Sequence, residues 1–245
     1  MLSESVKAAL EAIGALAAAG LATGGCAYAA MSPQSKFFGS TLTAPRGRGQ
    51  IALTFDDGPN PAWTPQLLDL LAKYRAHATF FLVGRHAVEE PYLTRYIAEA
   101  GHVIGNHSWS HPNLAFTSPR KVKEELKQTK QVLEHITGMP VRFFRPPYGG
   151  RRPDVLNAAR DLGMTPVMWN VMTNDWKEQS SEKIAQRIGH QVDLLGRRGL
   201  AANVVLHDGG PERLGIDREP SIGAARILLE RYTGVRRFVT VDAWI

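Results

Sequence analysis

From residue 50 onward, short apolar runs alternate with helical patterns, and that alternation leaves few folds open to the chain. The runs at 51–55, 78–83, 103–105, 141–144, 165–168, 202–206 and 238–241 read as strands one to seven. Between them lie helical signals. Thr64-Pro65 opens a helix with Leu67, Leu68, Leu71 and Tyr74 on one face, and another spans 91–100 and stops at Gly101. Ser118-Pro119 starts a long helix with Val122, Leu126, Leu133 and Ile136 inward, closing at Gly138. Further helices are expected at 153–162, around Ile184, Ile188, Val192 and Leu195, and at 222–232. Strict alternation of this kind implies an α/β protein with a parallel sheet. Seven units in roughly 195 residues predict a closed or nearly closed barrel. An open doubly wound sheet is the competing architecture. No G-x-G-x-x-G or Walker pattern follows the first strand, which argues against its nucleotide-binding form.

Chemical residue types collect where the strands end. Thr54-Phe55-Asp56-Asp57-Gly58-Pro59 places two carboxylates at the break between the first strand and a cluster of turn formers. Such a pair repels unless a cation or a shared proton compensates, although solvated acids in a plain turn would read the same way. His107 and His111 stand four apart after the third strand, a spacing that lets one turn or tight loop aim both imidazoles at one ion. Two histidines and a carboxylate form a common hydrolytic metal set; two surface histidines are the bland alternative. After the fourth strand, Arg145-Pro146-Pro147-Tyr148-Gly149-Gly150 is a rigid loop whose arginine could orient a carboxylate. Asn174-Asp175-Trp176 follows the fifth strand and Leu206-His207-Asp208-Gly209-Gly210 the sixth. Recurrence of such residues at one face of a predicted barrel is stronger evidence for a site than any single motif.

Composition sets the outer limits. Of 245 residues, 44% are hydrophobic and 21% charged, which is globular and ample for one core. The net charge of +6 permits acidic partners, yet the Lys and Arg are scattered and no basic stripe interleaves with aromatics, so nucleic-acid binding is disfavoured. Cys26 is the single cysteine, so no disulfide forms within the chain. Residues 12–31 carry no charge and just reach the length of a membrane span, and Ala27-Tyr28-Ala29 fits a small-residue cleavage site. The chain is therefore expected to be exported or membrane-anchored, a soluble Ala-rich helix packed on the domain being the alternative. Residues 32–48 read as a linker, which divides the chain into a signal- or anchor-like segment with linker (1–44) and a catalytic body (45–245).

Taken in order, TFDDGP, HSWSH, RPPYG, NDW and VLHDG resemble the five motifs of the NodB-type polysaccharide deacetylases, also called carbohydrate esterase family four. The resemblance covers residues 50 to about 210. It implies a distorted (β/α)7 barrel that hydrolyses N- or O-acetyl groups of polysaccharides. Carried over position by position, Asp57, His107 and His111 would bind a divalent metal, zinc or cobalt. Asp56 would be the general base and Arg145 would hold it. Tyr148 would give its backbone N–H to the oxyanion, and Pro147 beside it would line the substrate site. Asp175 would orient His207, the general acid, placed opposite Asp56 across the barrel mouth, while Trp176 and Leu206 would line the acetyl pocket. The implied partner is an acetylated polysaccharide, most simply an N-acetylglucosamine polymer such as peptidoglycan or chitin-like oligomers. Acetylated xylan, or an amide or imide in a related hydrolase, are the alternatives. Two positions depart from the family pattern: Met172 stands where an acid is frequent, and Val205 where Leu is. The remaining histidines match no motif and are expected to be structural or solvated.

Overall fold

The computed structural model describes residues 24–25, 28, 30–46 and 49–245. Most of the apolar stretch 12–31, with much of its cleavage-site pattern, lies outside these. Among the described residues, no helix is long and apolar enough to cross a membrane.

All seven expected strands are present, and every strand pairing among them is parallel. They are β1 (Gln50–Asp56), β2 (Thr79–Leu82), β3 (Val103–Asn106), β4 (Phe143–Phe144), β5 (Thr165–Pro166), β7 (Ala202–His207) and β8 (Arg237–Val239). An eighth, β6 (Val171–Met172), pairs with β7 and has no helix before it. Two residues without apolar periodicity leave no sequence signal for such a strand. The order is β5-β4-β3-β2-β1-β7-β6, and β8 shares with β2 the edge of β1 that faces away from β7. The helices are α1 (Thr64–Lys73), α2 (Gly84–Glu89), α3 (Pro91–Glu99), α4 (Pro119–Thr137), α5 (Pro153–Asp161), α6 (Ser181–Arg197) and α7 (Glu219–Tyr232). The whole is a distorted (β/α)7 barrel. The sequence reading did not include α2, which is short and begins at a glycine with no room for a Cβ beside Thr129 and Trp109.

Strand alternation separates two interiors. On β1, Ile51, Leu53 and Phe55 join the large core between sheet and helices, whereas Ala52 belongs to a smaller cluster inside the curve with Phe81, Phe143, Val167 and Val239. Thr54 and Asp56 therefore point inward, toward the site. On β7, Ala202, Val204 and Leu206 take the helix side. α4 shows how the helices are set: Ser118 Oγ accepts from the Lys121 N–H, and Gly138 ends the helix at φ 68°.

Residues 30–46, which take in most of the expected linker 32–48, are packed against the barrel. The Leu42 N–H donates to the Pro166 carbonyl at 2.9 Å and its carbonyl accepts from the Met168 N–H at 2.8 Å. Thr43 O accepts from Asn203 Nδ2 and Pro45 O from the Ala201 N–H. This strap crosses from the β5 edge to the start of β7 and so spans the break in the barrel. With two prolines, small residues and no periodicity it carries no helix or strand pattern, because its partners lie more than a hundred residues away.

Candidate active site

β1 ends at Asp56, and Asp57 follows at φ 71°. His111, Ser108 and Tyr148 also have positive φ, at 60°, 65° and 57°. Four non-glycine residues in the left-handed region around one cavity is local strain that the surrounding packing must hold, at about 1–3 kcal/mol each. The Asp57 carbonyl is clamped from behind: His86 Nδ1 donates to it at 3.3 Å, and a Cβ on Gly209 would fall 2.1 Å from it. His86 is thus structural, as expected for a histidine outside the motifs.

The loop after β3 carries both motif histidines. His107 Nδ1 donates to the Arg145 carbonyl at 2.8 Å, which leaves Nε2 free with its lone pair facing the cavity. The His111 N–H donates to Ser108 Oγ, and the Ser108 N–H to Asn106 Oδ1. Glu125 of α4, fully buried, pins the rest: one carboxylate oxygen accepts from the N–H groups of Trp109 and Ser110, both at 2.8 Å. The other accepts from Ser110 Oγ at 2.8 Å and pairs with Lys121 at 3.2 Å. Sequence reasoning missed Glu125. The signal was there: it falls on the apolar face of α4, three residues after Val122 and four before Thr129, where an unpaired carboxylate would be prohibitive.

Arg145 is fully buried behind Asp56. Its Nη1 donates to Asp56 Oδ1 and to Thr54 Oγ1, both at 2.7 Å, and its guanidinium lies 4.1 Å from the Phe81 ring centre. Burial pulls the Arg145 pKa down from its ordinary value, opposed by the Asp56 charge. The Tyr148 ring meets His111 edge-on at 4.7 Å between ring centres.

His207 is in register with Asp56, because the crossover through α6 brings β7 beside β1. The two side chains are neighbours on one face, not opposite each other across the mouth as strand sequence suggested. Asp175 accepts from His207 twice, from Nδ1 and from the backbone N–H, each at 2.9 Å, and from Ser221 Oγ at 2.7 Å. Burial opposes a charge on His207, but the Asp175 carboxylate outweighs it and the pKa rises to about 9. Burial pushes the neighbouring Asp208 up to about 7, against the hydrogen bond from Thr64.

Asp57, His107 and His111 each offer a ligand atom, all within 4.8 Å of one another. Asp57 Oδ1 lies 3.0 Å from His111 Nε2 and 3.3 Å from His107 Nε2. Those separations match the roughly 3.3 Å edge of a tetrahedron built on zinc–nitrogen bonds of about 2.0 Å. With the His107 proton on Nδ1, its Nε2 and the carboxylate bring lone pairs together in a buried place, which a cation relieves. Burial opposes the Asp57 charge, but both histidines outweigh it and hold the carboxyl well below the usual carboxylate range. The donor set fits a divalent metal.

Residues 43–167 match the polysaccharide deacetylase family model. A peptidoglycan-N-acetylglucosamine deacetylase of Bacillus cereus is 35% identical over 203 residues, covering 82% of this chain and 70% of the relative. A chitooligosaccharide deacetylase of Azorhizobium caulinodans is 36% identical over 174 residues, covering 71% and 80%. The chain belongs to the polysaccharide deacetylase family. Among solved structures, a carbohydrate esterase family 4 pseudoenzyme from Bacillus anthracis superposes with a TM-score of 0.74 at 25% identity, covering 83% of this chain and 68% of that one. Since a pseudoenzyme shares the fold, competence in this polysaccharide deacetylase has to be read from its side chains.

A cavity of about 550 Å³ gathers Asp56, Asp57, His107, His111, Tyr148, Trp176 and His207. Arg145 and Asp175 stand behind it, against Asp56 and His207. Two expected lining residues are elsewhere. Leu206 points into the helix-side core, because β7 alternates and His207 takes the inward face; Val205 lines the cavity instead. Pro147 is buried within its loop, and Pro146 is the proline that reaches the cavity. Asp175 and Trp176 follow β6 rather than β5. Met172 also lines the cavity, so both departures from the family pattern change its wall and leave Asp56 and His207 in place. Met31, Pro33, Trp169, Glu212 and Arg218 line it as well, and no motif marks them.

Proposed function

We propose that this polysaccharide deacetylase removes N-acetyl groups from an N-acetylglucosamine polymer, peptidoglycan or chitin-like, with zinc as its metal. The observation that carries this reading is the in-register placement of Asp56 and His207 on adjacent strands, beside the Asp57–His107–His111 cluster and in one cavity.

A divalent cation held by Asp57, His107 and His111 would supply Lewis acidity and make a water acidic near neutral pH. Asp56, oriented by the hydrogen bond from Arg145, takes the proton of the attacking water. The Tyr148 N–H meets the oxygen on which negative charge develops at the acetyl carbonyl carbon. Asp175 fixes the His207 proton on Nδ1 and favours the imidazolium, so Nε2 carries the proton that the departing sugar amine needs. Arg145, fully buried, never meets substrate and acts only through Asp56.

Support for the glycan comes from the two named relatives and from a cavity whose wall includes Trp169 and Trp176. An O-acetyl esterase on xylan would use the same groups with less need of His207. The catalytic groups all lie within 45–245, and an envelope substrate agrees with reading 12–31 as an export or anchoring segment. Acetate release over a panel of N-acetylglucosamine oligomers, peptidoglycan and acetylated xylan tests the assignment. Preferential release from the first two is expected; release from xylan alone would replace it with the esterase.

A further inference from the structure

Arg151 is almost fully buried just past the Tyr148 loop, yet the described residues give it no carboxylate partner. Its guanidinium donates instead to three backbone carbonyls: Gly149 at 3.1 Å, Ser35 at 2.9 Å, and Ser32. Its own N–H donates to the Ala30 carbonyl at 3.0 Å. Two of the carbonyls held by the guanidinium belong to the strap and the third to the loop behind Tyr148. A buried cation met only by carbonyl dipoles is costly to desolvate, and these three hydrogen bonds offset part of that cost. Gly149 shows how tight the joint is. A Cβ there would meet the Trp169 ring tip at 3.2 Å, Met168 Cε at 3.3 Å and the Met31 carbonyl at 3.3 Å. Gly149 already sits at φ 69°, where a side chain is strained in any case. Met31 and Pro33, carried by the strap, line the same cavity as the metal cluster and Trp169. Farther along, Leu42 ties the strap into the sheet edge and Arg160 Nη2 donates to Ser40 O at 2.7 Å. One end of the strap is thereby anchored to the barrel while the other forms part of the cavity.

We infer that residues 30–36 form a wall of the substrate cavity that grips a glycan ring with Met31 and Pro33, and that Arg151 is the positioning residue that holds this wall against the Tyr148 loop. Pyranose rings present apolar C–H faces, and Met31, Pro33 and Trp169 offer apolar surface at one side of the cavity. The acetyl group needs none of these contacts, so the wall distinguishes a sugar chain from a small acetylated compound. This rests on reading the cavity as glycan-binding.

The test uses the full, zinc-loaded chain with Met31→Ser and Arg151→Ala. The probes are N-acetylglucosamine tetramer, for both calorimetric affinity and turnover, and an aryl acetate. Met31→Ser should weaken tetramer affinity and raise its KM by about 3–10-fold, the scale of one lost apolar contact, with kcat within about twofold. Arg151→Ala should do at least as much, and in both variants kcat/KM for the tetramer should fall more than that for the aryl acetate. Arg151→Lys should restore little, since one ammonium cannot reproduce a planar fork serving three carbonyls. Met31 is partly exposed, so its variant reports even where Arg151→Ala fails to fold. Tetramer affinity unchanged in Met31→Ser, or equal losses on tetramer and aryl acetate, would overturn the inference while leaving the deacetylase reading in place. A wild-type chain that binds no tetramer would overturn both.

Discussion

Replacing Glu125 tests whether the histidine loop is held by α4. In Glu125→Ala, the Trp109 N–H loses a 2.8 Å acceptor in a half-buried place, which costs about 1–3 kcal/mol. The Ser110 N–H and hydroxyl lose theirs at an exposed residue, where water substitutes, so their share is small. The Lys121 pair is half in solvent and adds at most about 1 kcal/mol. With the void left in a buried spot, the sum is about 2–4 kcal/mol. For a body of this size each kcal/mol moves Tm by about 2–4 °C, so the expected loss is about 4–16 °C. Glu125→Gln keeps one carbonyl oxygen for the two N–H groups and should lose no more than about 4 °C. Because the loop aims His107 and His111, zinc affinity in the alanine variant should drop by about 10–100-fold. Calorimetric melting of the metal-free protein and competitive zinc titration read the two effects separately. An alanine variant melting within about 2 °C of the parent, with equal zinc affinity, would refute the argument.

Three further outcomes follow from the same geometry. His107→Ala or His111→Ala should abolish stoichiometric zinc and turnover together, read by metal analysis and acetate release; full occupancy in both would remove them as ligands. His207→Ala should slow N-acetyl hydrolysis by about 10²-fold or more while sparing an activated aryl acetate, whose leaving group needs no proton; equal losses would mean that His207 is not the acid. With its pKa raised to about 9, His207 should stay protonated until pH climbs through that value, so His207 should set the alkaline limb of amide turnover. Removing the Asp175 charge by Asp175→Asn lowers that pKa and should move the alkaline limb to lower pH in a kcat profile. The same sign governs stability: the His207–Asp175 pair contributes fully below the ordinary histidine value near 6.5 and loses its contribution as pH rises through about 9.

Much of the site was legible because its residues sit at strand ends, where local punctuation marks them: Asp56-Asp57 before Gly58-Pro59, His107 and His111 after β3, and His207 at the end of β7. What escaped depends on distant partners. No periodicity says that β7 lies against β1, so His207 was expected across the mouth rather than beside Asp56. The helix-facing side of Leu206 follows from alternation once His207 is known to face inward, yet a motif alone pointed the wrong way. Glu125 belongs to no motif, and its partners in the histidine loop lie fifteen and sixteen residues earlier. The strap lacked any pattern because Arg151, the β5 edge and Asn203 supply its order. β6 was too short to announce itself.

Turnover and metal content of Asp56→Asn, measured on one preparation, test the central assignment most directly. The substrate is N-acetylglucosamine tetramer, and the protein is stripped with chelator and reloaded with zinc. Wild type should lose acetate release on stripping and regain it at one zinc per chain. Asp56→Asn should bind that zinc and still lose about 10²–10⁴-fold in rate, because the base is gone while the three ligands remain. Undiminished acetate release by metal-free wild type, or an Asp56→Asn variant that loses its zinc while Asp57→Asn keeps it, would contradict the account.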